Sequence, residues 1–219
     1  MRSRDHDQPR PYHQTHGAPQ LPPVALPMVW EAAAINMTAA ELFEAGRYDE
    51  AVPLLEQALG ICRSALGPDH PGTMTVAGNL AVACFAAGHR RKGLKLIVNN
   101  VSDRVRVLGD DHPDTLIARS ALAAAHRLTG DADTAIALAK QVVVQRSRTL
   151  GSTHSDTLSA RMSLALALAA AGDVASAHRM LAATVDDAEA TLGARHSHTM
   201  ALLDVGVAHG LLQEDTYGP

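Results

Sequence analysis

Histidine is the residue type whose spacing in this chain most invites a chemical reading. His70, His112, His154 and His196 stand 42 residues apart, and His198 adds a His-x-His pair. An imidazole can ligate a metal, carry a proton or close a hydrogen bond at a helix end. Zinc ligation needs nitrogens converging at about 2.0–2.1 Å from one ion. Equivalent positions of stacked helical units lie about 10 Å apart, so the four histidines cannot share an ion. Their neighbours point to capping. Pro71 and Pro113 follow His70 and His112, and proline suits the first position of a helix. There is no phosphate-binding glycine loop, no G-x-S-x-G, no H-E-x-x-H and no cysteine–histidine zinc pattern. Asp186 and Asp187 fall on a helix face expected to be solvated. The chain therefore reads as a non-enzyme with no cofactor and no metal.

The elements that carry those histidines repeat as a block. The phrase reads LGPDHPGTM at Leu66–Met74, LGDDHPDTL at Leu108–Leu116, LGSTHSDTL at Leu150–Leu158 and LGARHSHTM at Leu192–Met200. A fixed period without insertion or deletion means a stack of like supersecondary units rather than one globular core. A second ladder, Gly46, Gly88, Gly130 and Gly172, keeps the same interval, each glycine ending an apolar run as a helix C-terminal glycine does. Five residues on stand Ala51, Gly93, Ala135 and Ala177, small enough for two helices to approach closely. Each unit is then helix A, a glycine turn and helix B. In the first helix B, Ala51, Leu55, Ala58, Cys62 and Ala65 recur on one face of a 3.6-residue helix. The A helices, such as NLAVACFAA at Asn79–Ala87, are apolar or small all round and must be sandwiched. Val142–Val144 favours a strand locally, but its place in the repeat overrides that propensity.

Composition agrees. The 219 residues are 47% hydrophobic but only 3% aromatic, so alanine and leucine do the packing. A net charge of −4 argues against a phosphate-binding surface, hence against nucleic acid. No apolar stretch is long enough to span a bilayer. Cys62 and Cys84 read as two buried reduced thiols, with a disulfide as the alternative.

The ends differ from the middle. Residues 1–27 hold six of the eleven prolines and no helical periodicity, and read as a disordered tail. Aspartates and prolines stand where a signal peptide needs its apolar core, so a cytoplasmic location is expected. The tail's apolar last part either packs on the first helix or acts as a tethered ligand. At the other end a terminal helix over 198–213 carries Leu202, Leu203, Val205, Val207, Leu211 and Leu212 with little polar cover. That end is weakly capped, or it docks something, including a second copy of the chain.

The turn Gly46-Arg47-Tyr48-Asp49-Glu50-Ala51 resembles the tetratricopeptide pattern, and the 42-residue period with Leu-Gly-x-x-His-Pro-x-Thr is similar to repeats of the kinesin-light-chain type found in bacterial proteins. The resemblance covers about residues 30–213. It implies an all-α, right-handed solenoid of about nine helices, with units near 30–71, 72–113, 114–155 and 156–197 inside a repeat region of 28–213. A short tail of 214–219 follows. It also implies a non-catalytic scaffold that binds a protein or peptide on the concave face formed by the A helices.

Counting from the ladder Ala39, Ala81, Ala123 and Ala165, the groove positions of that family fall on Asn36 and Phe43 in unit one and on Asn79, Val82 and Phe85 in unit two. In units three and four they fall on Arg127, Met162 and Leu166. Phe43 and Phe85 share one register position; they either anchor a ligand or fill the interior of the superhelix. The carboxylate clamp of chaperone-binding repeats would use Asn36, Ala40, Asn79, Ile117 and Ala121, of which only Asn79 fits. The backbone-binding asparagine ladder of kinesin light chains would use Met37, Asn79, Ala121, Ser163 and Val205, again with one match. The partner expected is a protein or peptide, with a regulatory sensor or a structural oligomerisation module as the alternatives.

Overall fold

A computed structural model describes residues 25–213, which form nine α-helices and no strand. They are α1 (Ala25–Glu44), α2 (Tyr48–Leu66), α3 (Pro71–Ala86), α4 (Arg90–Leu108) and α5 (Pro113–Thr129). After them come α6 (Ala132–Leu150), α7 (Ser155–Ala170), α8 (Val174–Leu192) and α9 (Ser197–Ala208). Odd-numbered helices are the A helices and even-numbered ones the B helices. Each helix packs on the next, and successive A helices also touch, as α3 does α5, α5 does α7 and α7 does α9. The result is an all-α solenoid. The β-branched run Val142–Val144 lies inside α6, where Val142 is buried.

The Leu-Gly-x-x-His-x-x-Thr phrase is the joint between units. Its glycine and histidine act in all four copies and its threonine hydroxyl in three, Thr115 Oγ1 being buried without a partner among the described residues. Gly67, Gly109, Gly151 and Gly193 end the B helices with φ of 84° to 96° and ψ of 150° to 168°. Only glycine occupies that region without strain. The reversed carbonyl then receives the hydroxyl of the threonine six residues on: Thr73 to Gly67 at 2.8 Å, Thr157 to Gly151 at 2.8 Å and Thr199 to Gly193 at 3.0 Å. Between them the histidine caps the next helix. Nδ1 of His70, His112, His154 and His196 accepts the backbone N–H two residues on, at 3.1 Å in the first and 3.2 Å in the other three. Pro71 and Pro113 sit at the first helical positions.

No single core runs through the molecule. The buried side chains divide into successive clusters, one centred on Leu55, Leu59 and Leu80, another on Ile97 and Leu122, and a last one on Leu158, Leu181 and Leu202. Cys62 and Cys84 are both buried in the first cluster as free thiols, and burial pushes both thiols up from their ordinary range.

The ends follow different boundaries from those expected. Helix α1 begins at Ala25, so residues 25–27, assigned to the tail, are helical; residues 1–24 and 214–219 lie outside the described part. The terminal helix stops at Ala208 rather than running to residue 213. The chain reverses at Gly210 (φ 66°), and the N–H of Leu211 returns to the carbonyl of Gly206 at 2.8 Å. Leu211 and Leu212 then fold back and are buried in the last cluster.

Candidate functional site

The A helices share one face, and two adjoining hollows open on it near the first three units. The first, about 220 Å³, is lined by Asn36, Ala39 and Phe43 of α1, Leu55 of α2, and Asn79 and Val82 of α3. Phe43 enters edge-on to Tyr48, with ring centroids 5.0 Å apart, so its ring is braced by the turn between α1 and α2. Asn79 Nδ2 donates to Asn36 Oδ1 at 3.0 Å, joining α3 to α1 across the face. This bond still leaves Asn36 donors and the Asn79 carbonyl oxygen available to a ligand.

The second hollow, about 250 Å³, shares Asn79 and Val82 with the first. Thr75, Asp114 and Ile117 complete its rim, and its floor is Asn100 and Arg104 of α4. Both floor residues are buried, at 5% and 7% exposure, where polar groups must be partnered. Asn100 Nδ2 donates to the carbonyl of Met74 at 2.7 Å, and Arg104 Nε donates to Asn100 Oδ1 at 3.0 Å. Arg104 Nη1 lies 3.3 Å from Asp114 Oδ2. The apolar members of the rim are open, Val82 43% and Ile117 58% exposed.

Arg146 is the counterpart of Arg104 one unit on. It is also buried, but its Nη1 donates to the backbone carbonyl of Asp156 at 2.7 Å, and Val142 takes the place of Asn100. Burial lowers its tendency to hold a proton, and the Asp156 charge opposes that. Surface ion pairs also recur in register. Arg106 reaches back to Asp69 at 2.5 Å, and Arg148 reaches back to Asp111, each B helix clasping the joint before it. The Asp69 carboxyl is held below the usual carboxylate range by its bond to Arg106.

Of the groove residues expected from sequence, the structure brings four together: Asn36, Phe43, Asn79 and Val82 line the first hollow. The others lie apart from both hollows. Phe85 is part-buried beside Ile97 and Leu122 and covers Gly93 so closely that a Cβ there would sit 2.5 Å from its Cδ2. The two phenylalanines therefore share a register position but not a role. Met162 and Leu166 pack on the last core cluster, and Arg127 is half-buried near the end of α5. Sequence reasoning missed Asn100, Arg104 and Asp114. The available signal was an arginine at the Cys62 and Ala188 position of helix B, in line with Ile97 on the inward face.

Comparison with known proteins agrees with this fold. Models of the tetratricopeptide repeat match residues 31–96, 115–156 and 157–198. The chain belongs to the tetratricopeptide repeat family. Its structure is similar to the nearly identical TPR-like repeats of a kinesin-light-chain-like protein from Podosopora anserina, with a TM-score of 0.69 and 29% identity over 86% of this chain and 91% of that one. It is also similar in fold to BtubC (BKLC) from P. vanneervenii, with a TM-score of 0.66 and 17% identity over 88% and 84% of the two chains. No curated protein matches the chain in sequence. No helix among the described residues is long and apolar enough to cross a membrane.

Proposed function

We propose that this protein is a non-catalytic scaffold that binds a segment of a protein or peptide on the A-helix face, across the two hollows of the first three units. The observation that carries the reading is the pair of adjoining hollows. Their rim at Val82 and Ile117 is apolar and exposed, and their walls at Asn36, Asn79 and Thr75 hold hydrogen-bonding groups. An extended segment needs both: apolar contact for affinity and polar partners for its backbone. Free buried thiols suit a reducing, cytoplasmic setting. Leu211 and Leu212 cover part of the last helix, which argues for the groove over the C-terminal end as the contact surface.

The test uses two exposed rim residues whose replacement leaves the core untouched. Peptides selected on the full chain from a random dodecapeptide display library should lose about tenfold or more in affinity for a Val82→Asp/Ile117→Asp variant of unchanged helical signal. Equal binding to both proteins would move the function elsewhere on the molecule.

A further inference from the structure

The geometry points to the second hollow as a pocket for a carboxamide side chain, that of a glutamine or asparagine in the bound segment. This rests on the groove reading above and refines it. The pocket belongs to one unit only. At the Asn100 position the other B helices carry Ala58, Val142 and Thr184, and at the Arg104 position they carry Cys62, Arg146 and Ala188. Asparagine and arginine coincide on α4 alone.

The arginine is held in place from below. Asn100 is fixed by the Met74 carbonyl and in turn accepts from Arg104 Nε. Nη1 faces Asp114 Oδ2, while Nη2 makes no hydrogen bond among the described residues. Among the described residues neither Asp114 oxygen accepts a hydrogen bond; the contact with Arg104 is an ion pair. The lining of the pocket therefore combines the unbonded N–H groups of a buried guanidinium with the carboxylate it pairs with, so the two charges offset each other.

That pairing selects among side chains. A carboxylate ligand would accept from Arg104 but face Asp114, and an ammonium ligand would meet the reverse. An apolar side chain would strip water from both groups and return nothing. A carboxamide accepts through its oxygen and donates through its NH₂, which matches both partners at once. Val82 and Ile117 at the rim can pack on the methylenes of a glutamine, and the first hollow next door would hold an apolar neighbour on the same segment. Arg146 shows the contrast, since its Nη1 is spent on a backbone carbonyl and Val142 gives it no polar floor.

The experiment takes the dodecapeptides selected on the full chain and measures each by fluorescence anisotropy. Binders should share a glutamine or asparagine at a fixed distance from an apolar residue. Changing that residue to leucine or glutamate in a synthetic copy should weaken binding to the wild-type chain about tenfold, the worth of a hydrogen bond to a charged group. Against an Asp114→Asn variant the preference should invert, with the glutamate peptide now bound more tightly than the glutamine one. The peptide substitutions test the proposal on the wild-type chain even if that variant does not fold. Wild-type binding that favours glutamate or leucine at the position, or an unchanged preference with Asp114→Asn, overturns the carboxamide pocket while leaving the groove. Peptides that bind the Val82→Asp/Ile117→Asp variant as well as wild type overturn the groove itself, as does a library without binders.

Discussion

His154 has no proline behind it, yet its ring caps α7 with the same bond that His70 and His112 make where a proline follows. The cap is a property of the ring acceptor and not of the proline. His154→Ala should lower the free energy of urea unfolding by about 1 kcal/mol, and His154→Asp, which keeps an acceptor at the N-cap, should recover most of it. The B helices α6 and α8 are capped instead by Asp131 and Asp173, which accept from the backbone N–H of Thr134 and Ser176. Bonds from the side chain and then the backbone of Thr134 and Ser176 hold these carboxyls below their ordinary 3.8. A group depressed in the folded state stabilises above its unfolded pKa, and the contribution is lost as pH falls through the folded value. Asp131→Ala and Asp173→Ala should therefore melt below wild type at pH 7. The gap should begin to shrink below about pH 4 and close once pH falls through the depressed folded values, as melting curves across pH would show. The capping histidines were legible from the prolines beside two of them. Asn100 and Arg104 were not, because polar residues on a B helix read as solvent-facing until the α3–α5 packing encloses them.

At the scale of the element, α9 shows how the array stops. Its buried Gly206 stands in register with Leu80, Leu122 and Leu164, so the last A helix lacks the large side chain its predecessors bury there. Leu212 fills the space: a Cβ on Gly206 would lie 2.5 Å from Leu212 Cδ1 and 2.9 Å from Leu181 Cδ2. Gly206→Ala should thus overpack the end, costing about 1–3 kcal/mol, and amide exchange in α9 should quicken. Wild-type protection in that variant would mean that the leucine moves aside freely. Sequence alone continued this helix to residue 213 because Leu211 and Leu212 extend the apolar run. What it could not weigh was Gly210, whose positive φ turns those leucines back onto the helix they seemed to prolong.

For the whole molecule, the succession of separate cores predicts local rather than global opening. Cys62 and Cys84 lie in the first cluster, far along the array from Gly206. Both should react slowly with a thiol reagent in the native protein, and Gly206→Ala should leave that rate unchanged while it loosens α9. A faster reaction would show that the units open as one. The period made this architecture readable in advance, since every unit repeats the same joint. The site was readable only in part, because it depends on where one unit departs from the others. The joints have a consequence for ancestry. Gly109–Leu150 starts just after one Leu-Gly bond and ends at the leucine of the next, and it carries both members of the Arg148–Asp111 pair. A tandem copy would create no unfamiliar junction, and its Arg146 would meet the Asp114 of the copy as it meets Asp156 now, through the backbone carbonyl. Such a gene can lengthen or shorten by unequal exchange in whole coils of 42 codons, with the histidine caps and the terminal leucine lid left in place.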